Sequence, residues 1–187
     1  VGTDVSVGKM FTALAIEQEM KKRGFDADFR ATGQTGIFIA GSGVSIDAVV
    51  ADFISGAVEW LCPENSENHW DIVEGQGSLF NVSYAGVTLG LIHGSQPDAL
   101  VVCHEAGRPH MRSMPHFPLI DLPTCIDVNL QAARLTNPDV RCVGAAINTS
   151  RLSEEEGRVF CDKISQEIGL PAVDPLRDGV ASLVDQI

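Results

Sequence analysis

The sequence has no CxxC pair, no apolar run long enough to cross a bilayer and about half as many basic as acidic residues, and each shortage excludes something. Five cysteines (Cys62, Cys103, Cys125, Cys142 and Cys161) are widely scattered and odd in number, so neither a disulfide framework nor a zinc knuckle is indicated. That usage predicts a reducing, cytoplasmic compartment, and no resident metal is expected. Thirteen Lys and Arg against 25 Asp and Glu give a formal charge of −12, which would repel nucleic acid and anionic membrane surfaces alike. Neither is expected as a partner. A small anionic ligand held in a local cationic pocket is compatible with this charge.

With 187 residues, 44% of them hydrophobic, the chain can bury one substantial core, and it reads as a single domain over residues 1–187. Apolar positions and breakers predict helices over 10–23, 45–61, 84–92, 123–135 and 153–168, with a short one after Asp178. Between them lie expected strands at 25–31, 69–73, 99–103 and 140–147, several of them apolar on both faces. Such an alternation predicts an α/β fold: a mostly parallel sheet with helices on both faces, a three-layer α/β/α, Rossmann-like arrangement of the P-loop NTPase type.

The most informative stretch is the first. In Gly2-Thr3-Asp4-Val5-Ser6-Val7-Gly8-Lys9 the glycines let backbone N–H groups turn inward around phosphate oxygens, while Lys9 adds a point charge at the mouth of the next helix. Nucleotide hydrolases follow that Lys with Ser or Thr to hold Mg²⁺; here the position is Met10, a poor ligand for a hard cation. Thr12 is no substitute, because two helical residues add a rotation of about 200°. Five residues rather than four separate Gly2 from Gly8. A phosphate loop also needs a buried strand directly before it, yet only Val1 precedes Gly2, so the chain is expected to be a piece of a longer protein.

Ligands of parallel sheets collect at the carboxyl ends of the strands. There the sequence offers Arg30, Thr32, Gln34 and Thr35; then Glu74 and Gln76; then His104 and Arg108; and finally Asn148. Glu74, at the end of a buried strand, is a candidate base, or else a carboxylate accepting bonds from loop amides. Arg30 and Arg108 are candidates to clamp a carboxylate or phosphate, with pairing to a nearby acid as the alternative. His104 reads as a base or a structural histidine, and Cys125 as an acyl acceptor or, more simply, a small core residue.

GTD followed by GK at this spacing, with a later strand ending in EGxG, resembles dethiobiotin synthetase and related phosphate-loop ligases. A fuller likeness covers nearly the whole chain. GTDVSVGKM, RATGQTGI, GSGVSIDAVVADFISGAVEWL, VEGQGSL, YAGVTLGLIHGSQPDALVVCHE and FPLIDLPTCI resemble the carboxy-terminal domain of the D-glutamate N-acetyltransferase family. In that family Met after the loop Lys is the normal residue. The resemblance implies acetyl transfer from acetyl-CoA to a small amino acid, D-glutamate, with the loop Gly2, Thr3, Asp4, Val5, Ser6, Val7, Gly8, Lys9 and Met10, together with Asn148, around the CoA. Glu74, or else Asp4 or His104, would be the base; Thr32, Gln34, Thr35 and Gln76 would join Arg30 and Arg108 around the substrate, and amides of Gly75 or Gly77 would face the oxyanion. An amino-terminal domain of the same parent chain and a homo-oligomer are the implied partners. Two other readings stay open: an ATP-dependent ligase or carboxylase using Mg-ATP, and a non-catalytic nucleotide- or CoA-sensing module.

Overall fold

Gly8 takes φ 108°, a left-handed value that favours glycine, and turns the phosphate loop directly into helix α1 (Lys9–Lys22). The computed structural model describes all residues 1–187. After α1 come β1 (Asp26–Arg30), α2 (Gln34–Ala40), two short 3-10 turns, α3 (Ile54–Leu61) and β2 (His69–Val73). The second half runs α4 (Ala85–Ser95), β3 (Ala99–Glu105), β4 (His110–Met111), β5 (Met114–Pro118), α5 (Leu122–Ala133), β6 (Arg141–Asn148), α6 (Glu154–Ile168), β7 (Ala172–Val173) and α7 (Ala181–Val184).

β1 pairs with β2, and β3 pairs with β6, which pairs with β7; all these ladders are parallel, and only the β4–β5 hairpin is antiparallel. Alternation along the strands splits the core into two layers. Cys103 and Ala146 meet Ile16 and Met20 of α1 and Leu183 and Val184 of α7 on one side. Val102, Ala145 and Ile147 meet Leu122 and Cys125 of α5 and Cys161 and Ile164 of α6 on the other. The expected three-layer α/β arrangement is the one observed.

Some local expectations need correcting. The stretch 45–61 is not one helix: Val49 and Val50 adopt extended ψ values near 135°, so two 3-10 turns precede α3. The helix α2 is absent from the sequence reading because Gly36 and three β-branched residues disguise it; it forms where Gly36 packs under Glu74. Helix α4 runs through Gly86 and Gly90 to Ser95. Gly90 and Gly94 let α3 approach closely, since a Cβ at Gly90 would lie 2.3 Å from Ile54 Cγ2 and one at Gly94 2.5 Å from the Ser55 carbonyl oxygen. The buried stripe of α1 is Thr12, Ala13, Ile16 and Met20.

Replacing Gly94 with Ala forces this α3–α4 contact apart. Urea unfolding should show a loss of about 1–3 kcal/mol, the range for overpacked cores.

Candidate functional site

The loop 2–9 lies between β3 and the end of β2. Thr3 N–H donates to the Cys103 carbonyl oxygen at 3.0 Å, and Gly2 bridges Cys103 in parallel register. A Cβ on Gly75, just beyond β2, would stand 3.0 Å from Lys9 Cδ, so Glu74-Gly75 rests against the lysine stem. Lys9 Nζ donates to the Asp4 carbonyl oxygen at 2.8 Å. Burial pulls its pKa down, partly opposed by Asp4, and an incoming phosphate would reverse that shift.

The first turn of α1 carries no acidic residue, and no side chain caps it. The amides of that first turn therefore remain open to an anion, the arrangement by which helix N-termini bind phosphate. Ser6 is exposed with φ 54°, and Val7 is buried, anchoring the loop into the core. Thr12 turns inward: it is buried, its Oγ1 donates to the Gly8 carbonyl oxygen at 3.0 Å, and it offers nothing at the loop mouth. Met10 is half-buried in the first turn.

Asp4 is buried, and its carboxylate accepts from Asn81 Nδ2 at 2.8 Å, from Arg108 Nη1 at 3.0 Å and from the Arg112 amide at 2.6 Å. Burial alone would raise its pKa; the hydrogen bonds from Arg112, Asn81, Val5 and Arg108 outweigh that and hold it below the usual carboxylate range. Both oxygens are spent, which replaces the base role with a structural one. Arg108 is equally committed. It donates to the Val5 and Ser6 carbonyl oxygens at 2.8 and 3.1 Å and pairs with Glu105, which in turn pairs with Arg151. It holds the phosphate loop rather than a ligand's carboxylate.

Glu74 is differently placed. Only 3% exposed, it accepts from the Thr32 amide at 2.8 Å and the Gly33 amide at 3.0 Å, both on Oε2. Thr32 Oγ1 donates back to the Glu74 carbonyl oxygen at 2.6 Å, and Gln76 Nε2 donates to Thr32 Oγ1 at 3.3 Å. A Cβ on Gly36 would stand 2.3 Å from Oε2, so glycine there is a steric requirement. One oxygen is thus fixed by backbone, and Oε1 has no protein partner. Gln34 and Thr35, at the start of α2, are exposed beside this carboxylate's loop.

Four other candidates have surroundings that bear on their roles. Arg30 Nε donates to Asp71 at 2.6 Å across the β1–β2 pair, so it is paired rather than free for substrate. His104 Nδ1 is 3.1 Å from Thr3 Oγ1 and its ring stacks on Phe160; burial, aided by Arg108, pushes its pKa down to about 4. It is a neutral prop behind the loop. Burial drives the Cys125 thiol up to about 12, which removes the acyl-acceptor alternative. Asn148 Oδ1 accepts from the Ser150 amide at 3.0 Å, closing its own turn at the end of β6. Sequence reasoning missed Asn81, Glu105 and Arg151, since a polar residue in a loop carries no signal of the buried acid or paired cation it serves.

With this geometry in view, the likenesses to other proteins can be placed. Residues 1–184 match the family described as "Domain of unknown function (DUF1611_C) P-loop domain". The chain is 59% identical over 184 residues to a D-glutamate N-acetyltransferase of Pseudoalteromonas, covering 98% of this chain and 55% of that protein. It is 54% identical over 187 residues to a protein of the same name from Tritonibacter scottomollicae, covering 56% of it. A crystal structure of a DUF1611 family protein from Anabaena variabilis superposes with a TM-score of 0.95 at 40% identity, over the whole of this chain and 55% of that one. The chain therefore spans about half the length of the relatives it matches.

Two outcomes test the site as described. Arg108→Met, which leaves the buried Asp4 without its cation, should cost about 3 kcal/mol in urea unfolding, as broken buried pairs do. The His104 imidazole should titrate near pH 4 by NMR, against an ordinary value of 6.5. Between those values the unfolded chain binds a proton that the folded chain refuses, so stability should fall as pH drops from 6.5 toward 4. His104→Asn should flatten that slope.

Proposed function

The chain belongs to the DUF1611 P-loop family, and from that premise we propose that it forms the acyl-donor half of an N-acetyltransferase that moves the acetyl group of acetyl-CoA onto the amino group of D-glutamate. The observation that carries this reading is a phosphate cradle without a metal arm beside a buried carboxylate with one oxygen free. Coenzyme A brings a pyrophosphate and a ribose phosphate, which the loop amides and Lys9 can neutralise without Mg²⁺. Met10 stands where a magnesium-binding hydroxyl would otherwise be, and Thr12 is turned away. The D-glutamate N-acetyltransferases among the relatives supply the acceptor.

In this mechanism Glu74 takes a proton from the substrate ammonium through Oε1, while the Thr32 and Gly33 amides keep Oε2 still. The freed amine attacks the thioester carbon. A C–N bond forms, the C–S bond breaks, and the CoA thiolate leaves, taking up the second proton that the nitrogen sheds as it becomes an amide. Amides of Gly75 or Gly77 face the developing oxyanion. Since Arg30 and Arg108 are occupied, recognition of the substrate carboxylates falls to Gln34, Thr35 and Gln76, on the two loops that flank Glu74. Gly36 is a positioning residue: its missing side chain leaves the space into which the Glu74 carboxylate fits.

Calorimetric titration with acetyl-CoA, and separately with ATP, each with and without Mg²⁺, tests the donor. Metal-independent binding of acetyl-CoA is expected; magnesium-dependent binding of ATP alone would overturn the reading in favour of a ligase. Glu74→Gln should lower kcat for acetyl transfer to D-glutamate by about 10²–10⁴-fold, the usual contribution of a positioned base, while acetyl-CoA binds as before. Undiminished turnover would remove Glu74 from the chemistry.

A further inference from the structure

Beyond Glu74 the chain turns through Gly75-Gln76-Gly77, and two threonine hydroxyls hold alternate carbonyl groups of this turn from opposite sides. Thr32 Oγ1, on the β1 side, donates to the Glu74 carbonyl oxygen at 2.6 Å. Thr88 Oγ1, on α4, donates to the Gln76 carbonyl oxygen at 2.8 Å. Thr88 is buried, a β-branched polar residue inside a helix. A helical threonine ordinarily returns its hydroxyl to the carbonyl four residues back. Here that contact, to Tyr84, is 3.4 Å, and the shorter bond leads out of the helix to the turn.

A trans peptide sets its N–H opposite its C=O, so each held carbonyl aims the amide that follows it. The Glu74 carbonyl points to the β1 side, and Gly75 N–H therefore points along the sheet away from β1, as a strand amide does. The Gln76 carbonyl points to α4, which packs on α3 and α5. Helix α5 covers the face of the sheet opposite α1. Gly77 N–H is accordingly aimed toward the α1 face, where Lys9 opens the helix and Gly75 rests on the lysine stem. No carbonyl oxygen of the chain accepts from it. Gly77 stands at φ 66°, and a Cβ there would lie 2.6 Å from the Tyr84 carbonyl oxygen and 2.7 Å from Thr88 Oγ1, so glycine lets the turn close onto α4.

We infer that Thr88 is a positioning residue for acetyl transfer: its hydroxyl holds the Gln76–Gly77 peptide so that the Gly77 amide, rather than that of Gly75, meets the oxyanion. The inference rests on the acetyltransferase reading and narrows it to one donor. As the amine adds to the thioester carbon, the carbonyl oxygen takes up negative charge, and it gives that charge up again when the C–S bond breaks and the thiolate leaves. A donor fixed in direction beforehand stabilises the charge without having to reorganise. Buried in α4, Thr88 acts only through the peptide it holds. The same bond anchors the backbone from which the Gln76 side chain reaches Thr32 Oγ1, so one hydroxyl steadies both the amide and the neighbouring polar side chain.

The test compares Thr88→Val and Thr88→Ser in the full-length protein. Valine keeps the shape of the side chain and removes the donor, whereas serine keeps the donor. Thr88→Val should lower kcat for acetyl transfer to D-glutamate at least about tenfold, within the 10²–10³-fold that loss of an oxyanion donor costs. Its Kd for acetyl-CoA, read by calorimetry, should stay within about twofold, as for an interaction made only in the transition state. Thr88→Ser should bring kcat back to within about threefold of the wild type. An undiminished kcat in Thr88→Val, a loss mirrored in the acetyl-CoA Kd, or a loss that serine does not recover would each overturn the inference while leaving the acetyltransferase reading in place. A wild type that transfers no acetyl group would remove both.

Discussion

A carboxylate buried at the bend of the phosphate loop has to be met by donors, and satisfying Asp4 organises the whole ligand edge. Asn81 reaches it from the segment before α4, Arg108 from the turn after β3, and the Arg112 amide from the β4–β5 hairpin. Three stretches remote in sequence are drawn to one atom group, because a buried ion left short of hydrogen bonds is far more costly than the ordering they require. Arg108 passes the constraint on, bonding the Val5 and Ser6 carbonyl oxygens so that the loop keeps its curvature before any ligand arrives. Preorganised amides bind without first being ordered.

Asp4 and Glu74 show how two buried acids on the same edge come to do different things. Asp4 has both oxygens saturated and a depressed pKa, so it is a fixed anchor. Glu74 has one oxygen clamped by two amides and the other unpartnered, which leaves a lone pair with a defined direction. Environment, rather than residue type, separates the saturated acid from the one that keeps a free oxygen. The glycine at 36 belongs to the same logic, since its absent Cβ is the space into which the Glu74 carboxylate fits.

How much of this the sequence disclosed depended on whether a residue's role was local. The P-loop, β2 and the capped helix α6 were legible because glycine spacing, an apolar run ending at Glu74 and the Ser153–Glu156 capping box all act within a few positions. The two-amide clamp on Glu74 was legible as one of two alternatives. The partners of Arg30 and Arg108 were not, since pairing with Asp71 or Asp4 depends on how strands and loops meet in space. Helix α2 and the broken segment before α3 were misread for the same reason: tertiary packing overrode weak local propensity.

Net charge, too, is a poor guide to where an anion goes. The chain carries 25 acidic residues, yet none stands in the first turn of α1, whereas α6 has three in succession, Glu154, Glu155 and Glu156, at its start. Both helices present the same partial positive charge at their N-termini. In α6 that charge is used internally, with Ser153 and Glu156 closing the end. In α1 it is left open, uncapped and backed by the half-buried Lys9, whose pKa is lowered by desolvation. One dipole has been neutralised by the sequence itself and the other left open, so an acidic net charge does not preclude a local site of the opposite sign.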